Sequence, residues 1–432
     1  MAVVEKNTIG FGSRMGGALK GILTGIIMVL AGIALLWWNE GRSVRRYKAL
    51  KEGASNVVSI SADKVDPANE KKLVHLSAPA VTQETLQDSD FGLSFPGALR
   101  LERHVEVYQW KENKETTKEE KLGGKVEETT TYTYEKVWSS SLISSAEFKE
   151  QGHDNPTRLL IPEKTVRPSR VTVGAFRLTP AQIAAIGGAV DVELAADYKV
   201  PEMPAFLRQA YQEPQAFQKE IYFSVKKNVP AIPAIPANGD ANAPANAPAN
   251  APQPPQEAIQ SQPDSEPAIG DIRVTFKVVH SHDISLVYVQ VGDSFAPYQA
   301  KTGEVALQVD GIQTADQMFT SAQNANKLVT WLLRLLGFVL IYGGFESIFK
   351  PIQVLASIIP FLGRMVGVGT SAVSFLLALP ISLLVIALAW LFYRPVLSII
   401  LLVVTVGAIF GLKSVFGKMK KSEASPAPSA QA

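Results

Sequence analysis

The stretch LVTWLLRLLGFVLIYGGFESIFKPIQVLASIIPFLGRMVGVGTSAVSFLLALPISLLVIALAWLFYRPVLSIILLVVTVGAIFGL, residues 328–412, is apolar or small at almost every position and nearly free of charge. Such density suits lipid rather than a soluble core. Three segments in it approach or exceed the ~17–25 residues needed to cross the hydrocarbon of a bilayer: Leu328–Phe349, Val366–Phe392 and Val396–Leu412. Lys350-Pro351 ends the first, Arg364 precedes the second, and Tyr393-Arg394-Pro395 reads as a tight turn between the second and third. The apolar segment 351–365 is too short to cross and is expected to lie along the interface or re-enter shallowly. A buried bundle in a soluble domain would need polar faces, whereas Ser374 to Leu391 is apolar all round.

Far upstream, Gly21–Trp38 is a fourth uncharged apolar run, flanked by Lys20 and by Glu40-Gly41-Arg42, with Trp37 and Trp38 where an aromatic belt would sit. A cleaved signal peptide competes with this reading, but no small-x-small site follows the apolar core before Trp37. Gly17, Gly21 and Gly25 recur every four residues and would form a smooth helix face for close packing against another span or another copy. The pattern predicts an α+β membrane protein with four transmembrane helices, one N-terminal (21–38) and three C-terminal (within 328–412). A large strand-dominated extramembrane domain at 39–327 lies between them.

Composition bounds the chemistry. Of 432 residues 47% are hydrophobic, and the mean hydropathy of +0.10 is raised by the apolar runs. Lys plus Arg number 42 against 40 Asp plus Glu, so the net charge of +2 gives no electrostatic case for nucleic acid. The absence of Cys excludes disulfides, thiolate nucleophiles and Cys-based metal sites.

The region after the first span reads mostly as strands. Val105, Val107 and Gln109 share one face of an alternating run, and Glu128–Trp138 alternates Thr and Glu with Tyr132, Tyr134 and Val137. The polar segment Lys111–Lys125 would be the turn of a long hairpin. Further strands are expected at Leu73–Leu76, Lys219–Val225, Ile272–His280 and Ser285–Val291. Thr179-Pro180 carries a cap residue and an N1 proline, so a short helix is expected from there to Ile186. Residues 229–267 turn to Pro, Ala, Asn and Gln and read as a disordered insertion, and 413–432 as a basic, disordered, cytoplasmic tail. An even number of spans then puts residues 1–20 in the cytoplasm and the large domain across the membrane. Arg42, Arg45, Arg46 and Lys48 argue the opposite by the same charge rule.

Several blocks resemble a known family, the LUMA-type or transmembrane protein forty-three proteins. They are Trp38-Asn39-Glu40-Gly41-Arg42, Pro67–Glu70 with Leu73-Val74-His75, Phe91-Gly92-Leu93, the strand from Arg103 and His104 through Tyr108 to Trp110, Gly270–Val274 and Trp390–Pro395. Order and spacing relative to the spans carry the likeness. The resemblance implies one N-terminal span, a large domain on the far side, three C-terminal spans, and a role in membrane and nuclear-envelope organisation with self-association. The sequence looks prokaryotic. That implies a bacterial inner membrane with a periplasmic domain, or the endoplasmic reticulum or inner nuclear membrane in a eukaryote. The segment 229–267 departs from the family pattern.

No motif proposes catalysis. There is no G-x-S-x-G elbow, phosphate-binding loop or H-E-x-x-H pair. Among five histidines only His280 and His282, beside Asp283, have ligand-like spacing, and neither a third ligand nor a second shell accompanies them, so no metal and no cofactor is expected. Arg334 and Glu346 are the charges inside the spans. Two readings fit them: snorkelling to the interfaces, or a buried role in helix packing or a polar path. The leading expectation is a non-enzymatic scaffold that binds membrane lipid, itself and other membrane proteins. The alternative is an oligomeric channel or transporter, motivated by Arg334, Glu346 and Pro380, with an enzyme acting on lipid or envelope material third.

Overall fold

The computed structural model describes residues 3–226 and 266–395. Five helices occur there: α1 (Phe11–Asn56), α2 (Pro180–Ala185), α3 (Ala205–Ala210), α4 (Ala315–Ala356) and α5 (Pro360–Tyr393). Three of them, α1, α4 and α5, are long and apolar enough to cross a membrane. The fourth expected span, Val396–Leu412, lies outside the described residues, as do the tail and nearly all of the 229–267 segment.

The extramembrane domain is built on two sheets. In the larger, the strands run in the order Val3–Ile9, Val126–Ser139, Arg100–Glu120, Ile272–Val279, Glu220–Phe223, Gln215–Ala216. The second centres on Leu73–Val81 paired with His282–Val291. The two sheets are joined where Ile272–Val279 turns at His280 and Ser281 into His282–Val291. Alternating inward residues such as Leu101, Val105, Val107, Val274 and Phe276 make the first core. Leu76, Val173, Phe176 and Leu286 belong to the second. The α2 start is legible in the sequence: the Thr179 hydroxyl and the Gln182 side chain form a reciprocal capping box.

The helices are longer than their apolar cores. Beyond the expected end at Trp38, α1 continues into the domain, where Ala49 and Leu50 pack with Leu73, Val287, Met318 and Phe319. On the other side α4 begins at Ala315 under a Thr314/Gln317 capping box, thirteen residues before the expected start at Leu328. Both membrane helices are therefore continuous with the domain core. The segment 351–365, expected at the interface, is instead helical on both sides of a short turn: α4 passes through Pro351 to Ala356, and α5 starts at Pro360. A proline inside a helix removes one hydrogen bond, a tolerated loss in membrane helices.

Glycines set how α1 and α4 meet. A Cβ on Gly25 would lie 2.5 Å from the Gly344 carbonyl oxygen, and one on Gly32 2.8 Å from the Gly337 oxygen. The contact moves seven residues along α1 as it moves seven back along α4, and the next steps pair Asn39 with Thr330 and Ser43 with Asn326. This is an antiparallel small-residue seam. The face expected to pack on another helix is thus taken, at Gly25, by a helix of the same chain. Gly21 lies at ordinary contact distance from the Ser347 oxygen, and Gly17 meets nothing.

The hairpin also outruns its expectation. The polar residues Lys111–Glu120 are strand, not turn, because they face partners of matching chemistry across the ladder: Lys111 with Glu135, Thr116 with Thr130, Lys118 with Glu128. Val3–Ile9 adds a third strand alongside Val126–Tyr132. At its tip this ribbon meets the helices again. The Gly123 N–H donates to the Ile358 carbonyl at 3.1 Å, and Arg14 donates to the Gly124 carbonyl, the Ser357 hydroxyl and Glu120.

Gly25→Leu or Gly32→Leu should overpack this seam and cost about 1–3 kcal/mol, whereas Gly17→Leu should leave stability unchanged. Thermal unfolding of the purified variants reads the difference, and equal midpoints for all three would contradict the seam.

Candidate functional site

Where α1, α4 and α5 reach the domain, residues from three separate blocks of sequence converge. Glu40 on α1 is completely buried, and the Arg334 guanidinium grips both its oxygens, Nε to Oε1 at 2.6 Å and Nη2 to Oε2 at 3.0 Å. The indole N–H of Trp390 on α5 donates to Oε2 at 2.8 Å. Arg334 also lies over the rings of Trp331 (4.8 Å) and Trp390 (5.6 Å), and Arg394 lies 6.0 Å from the Trp390 ring. A carboxylate held by a planar two-pronged donor and capped by an indole is a charge-assisted network linking all three helices.

Next to it sits a second, neutral layer. Asn39 donates to the Thr330 carbonyl at 3.0 Å, Asn326 donates to the Ser43 carbonyl at 3.0 Å, and the Thr330 hydroxyl lies between the Ser43 hydroxyl and the Asn326 carbonyl. Arg42 reaches Asn326, Asn39 and Thr330. Gly41 is small because Tyr393 occupies the place of a side chain: a Cβ there would lie 2.7 Å from the Tyr393 ring. Trp37 packs edge-on against Phe392 and Tyr393, while Trp38 faces outward. Pro395 is the last described residue and follows the α5 cap at Arg394. The motif at 38–42 and the turn at 393–395, separate in sequence, are therefore two halves of one junction.

Arg334 is thus engaged within the chain rather than extended alone to the interface. It could not pair with Glu346 on its own helix, and its partner comes from α1. Glu346 belongs to a different cluster nearer the other end of the bundle, where Gln353 donates to it at 3.2 Å and to Thr370 at 2.7 Å. Its Oε1 is buried without a partner among the described residues.

The strand carrying Arg103, His104, Tyr108 and Trp110 lies away from this junction and organises loops of the domain. Arg103 is buried and donates to Asp88 (3.0 Å), Asp90 (2.8 Å) and the Pro162 carbonyl (3.0 Å). Its guanidinium holds the Asp90 carboxyl below the ordinary range. It forms part of the wall of a cavity of about 420 Å³ with Phe91, Met203, Phe206 and Phe223. His104 is partly exposed beside Glu102, Tyr108 packs on Trp138, and Trp110 on His153. His280 and His282 do not form a metal pair: His282 Nδ1 faces the His280 carbonyl and its Nε2 faces Asp310. No group of three His, Asp or Glu suited to a metal occurs among the described residues.

Sequence reading missed Trp390, Asn326 and Thr330 as site residues, and Asp271 as a hub that accepts from Tyr222, Val225 and Ala268. The signal for the first three was available: uncharged polar residues and an indole at the ends of apolar runs, spaced to face α1.

Apolar helices continuous with a two-sheet domain, joined through a buried charged junction, define a multi-pass membrane protein with a strand-rich extramembrane domain. The model of the family described as Transmembrane protein 43 matches residues 107–395, and the chain belongs to that family. It is 28% identical over 399 residues to the mouse Transmembrane protein 43, covering 89% of this chain and 88% of that one. With the human protein the identity is 28% over 405 residues (91% and 89% covered), and with the Drosophila melanogaster homologue it is 25% over 393 residues (88% and 90%). No solved structure matches the chain.

Arg334→Ala strands a buried carboxylate and should cost about 3–5 kcal/mol. The double variant Glu40→Gln/Arg334→Met, which removes both charges, should recover much of that loss. Unfolding midpoints in one detergent test this, and a single variant as stable as the parent would contradict a buried, mutually dependent pair.

Proposed function

We propose that the protein is a non-enzymatic membrane scaffold: its helices sit in lipid and its domain is presented in a fixed attitude to other membrane proteins and to further copies of the chain. The observation that carries this reading is the continuity of α1 and α4 from bilayer to domain core, locked by the Glu40–Arg334–Trp390 junction. A tether built to let a domain roam would break its helices at the membrane boundary, as flexible linkers do. Apolar side chains such as Leu23, Ile27 and Leu30 on α1, Trp331 and Leu335 on α4, and Leu376 and Leu384 on α5 are exposed, and that surface is left for lipid or for partner helices.

Self-association, on this reading, uses faces other than the Gly25 stripe, which α4 occupies. The domain lies on the exported side, periplasmic in a bacterium and lumenal in a eukaryote. The charges Arg42 and Arg46, which argue for the cytoplasm, are weak topology signals because both are bound within the chain, Arg46 to the Glu304 carbonyl at 2.7 Å. A channel loses Arg334 as a free charge in a path. It keeps one supporting observation, the unpartnered oxygen of Glu346 with the unpartnered hydroxyl of Ser374 on α5, among the described residues.

Extraction with surrounding lipid and without detergent, followed by native mass measurement, tests the scaffold. A discrete homo-oligomer or a reproducibly co-purified membrane protein is the expected result. A lone subunit of 46.7 kDa with no partner would contradict it.

A further inference from the structure

Past the junction, α1 carries a run of basic residues. Arg42, Arg45, Arg46, Lys48 and Lys51 follow one another with no acidic residue among them. Two of these are held by the chain, Arg42 by Asn326, Asn39 and Thr330, and Arg46 by the Glu304 carbonyl. Arg45 is exposed, and its guanidinium makes no hydrogen bond or ion pair among the described residues. The carboxylates that flank the run are already engaged, Glu40 by Arg334 and Trp390, and Glu52 by the Tyr298 hydroxyl and the Lys301 N–H.

The Arg45 head group has neighbours of its own kind. Its Nη1 lies 3.1 Å from the point where a Cβ on Gly41 would stand, and the Tyr393 hydroxyl lies 2.8 Å from the same point. That hydroxyl also has no hydrogen-bond partner among the described residues, and the guanidinium of Arg394 meets only the Trp390 ring, at 6.0 Å. Two guanidiniums and a phenol, all donors without an acceptor, thus stand where α1 passes the end of α5.

Depth selects their partner. Trp37 and Trp38 mark the edge of the hydrocarbon. Arg45 stands past Glu40 by about 7.5 Å of helix, at ~1.5 Å per residue. The headgroup layer on each side of a bilayer has a similar thickness, roughly 5–7 Å. Toward the hydrocarbon, the adjoining turns of α1 and α5 expose Trp38, Leu388, Leu391 and Phe392. A guanidinium offers a phosphate two parallel N–H donors, and a phenol adds a third. A free anion would use the donors alone, whereas a phospholipid uses the donors with its phosphate and the apolar wall with its chains.

We propose that Arg45, Tyr393 and Arg394 form a site for the phosphate of an anionic phospholipid, whose acyl chains lie along Trp38, Leu391 and Phe392. The proposal rests on the reading that the helices sit in lipid, and it adds which headgroup is preferred and where it is held. Two uncompensated cations suit a headgroup of net negative charge, while a zwitterionic headgroup brings its own cation to the same place. Arg45 thereby has a role that does not depend on which side of the membrane the domain occupies.

Native mass spectrometry of the full chain, titrated in mild detergent with phosphatidylglycerol or with phosphatidylcholine of matched acyl chains, counts bound lipid directly. The parent chain should bind phosphatidylglycerol at least about five-fold more tightly. Arg45→Gln/Arg394→Gln should erase that preference and leave phosphatidylcholine binding unchanged. Arg45→Gln alone, which breaks no contact of the fold, should lower the preference several-fold and carries the test if the double variant does not fold. Lys51→Gln removes the same charge farther along α1 and should keep the preference. Equal binding of the two lipids to the parent, or a preference that survives in the arginine variants or falls as far with Lys51→Gln, overturns the site. Glycerol 3-phosphate in large molar excess should not displace the lipid, and displacement would overturn a lipid site in favour of one for a free phosphate ester. The same spectra give the number of subunits per particle. A lone subunit that still prefers phosphatidylglycerol would contradict the scaffold and leave the site standing, and an oligomer without the preference would do the reverse.

Discussion

A carboxylate with no exposed surface, taken out of water beside a membrane, has to be compensated in place. Glu40 meets that requirement with two hydrogen bonds from Arg334 and one from Trp390, so that α1, α4 and α5 each supply one member. Desolvating both charges is expensive, and the pair is a poor source of net stability compared with apolar packing. Its consequence is specificity of arrangement: any sliding or rotation of one helix leaves a buried charge alone. The glycine seam then sets the distance between α1 and α4 below the junction, and Ala49, Leu50, Met318 and Phe319 set their place in the domain above it. The two helices thus carry one continuous register from the bilayer into the domain.

Much of this is legible in the sequence, for physical reasons. The apolar runs announce α1, α4 and α5 because lipid admits no polar alternative, and alternation announces strands such as Ile272–Val279 because one face is buried. The α2 capping box is local chemistry and can be read directly. Helix ends are less legible. Residues 39–56 and 315–327 are polar enough to look like loop, and only their buried stripes against Leu73 and Val287 reveal them as helix. The polar arm Lys111–Glu120 carries no apolar pattern and so reads as turn, whereas its partner shows Tyr132 and Tyr134 in alternation; cross-strand pairing of Lys, Glu and Thr supplies for the first arm what burial does not.

The junction itself is half legible. Its pieces, Trp38–Arg42, Arg334 and Tyr393–Pro395, stand out one by one as unusual residues at the ends of apolar segments. That Arg334 answers Glu40 across nearly three hundred positions is a property of the antiparallel seam, and no spacing rule within one helix contains it. The glycine stripe shows the reverse case: its smooth face is evident from spacing, and its partner is the chain's own α4 rather than another copy.

Continuity of α1 and α4 through the junction makes domain and bundle one rigid piece. Double electron–electron resonance between spin labels at Leu19→Cys on α1 and Val291→Cys on the second sheet, both exposed positions, measures this in lipid nanodiscs. A rigid piece gives a single narrow distance distribution, which broadens when Arg334 is replaced by alanine. A broad distribution in the parent chain would contradict it.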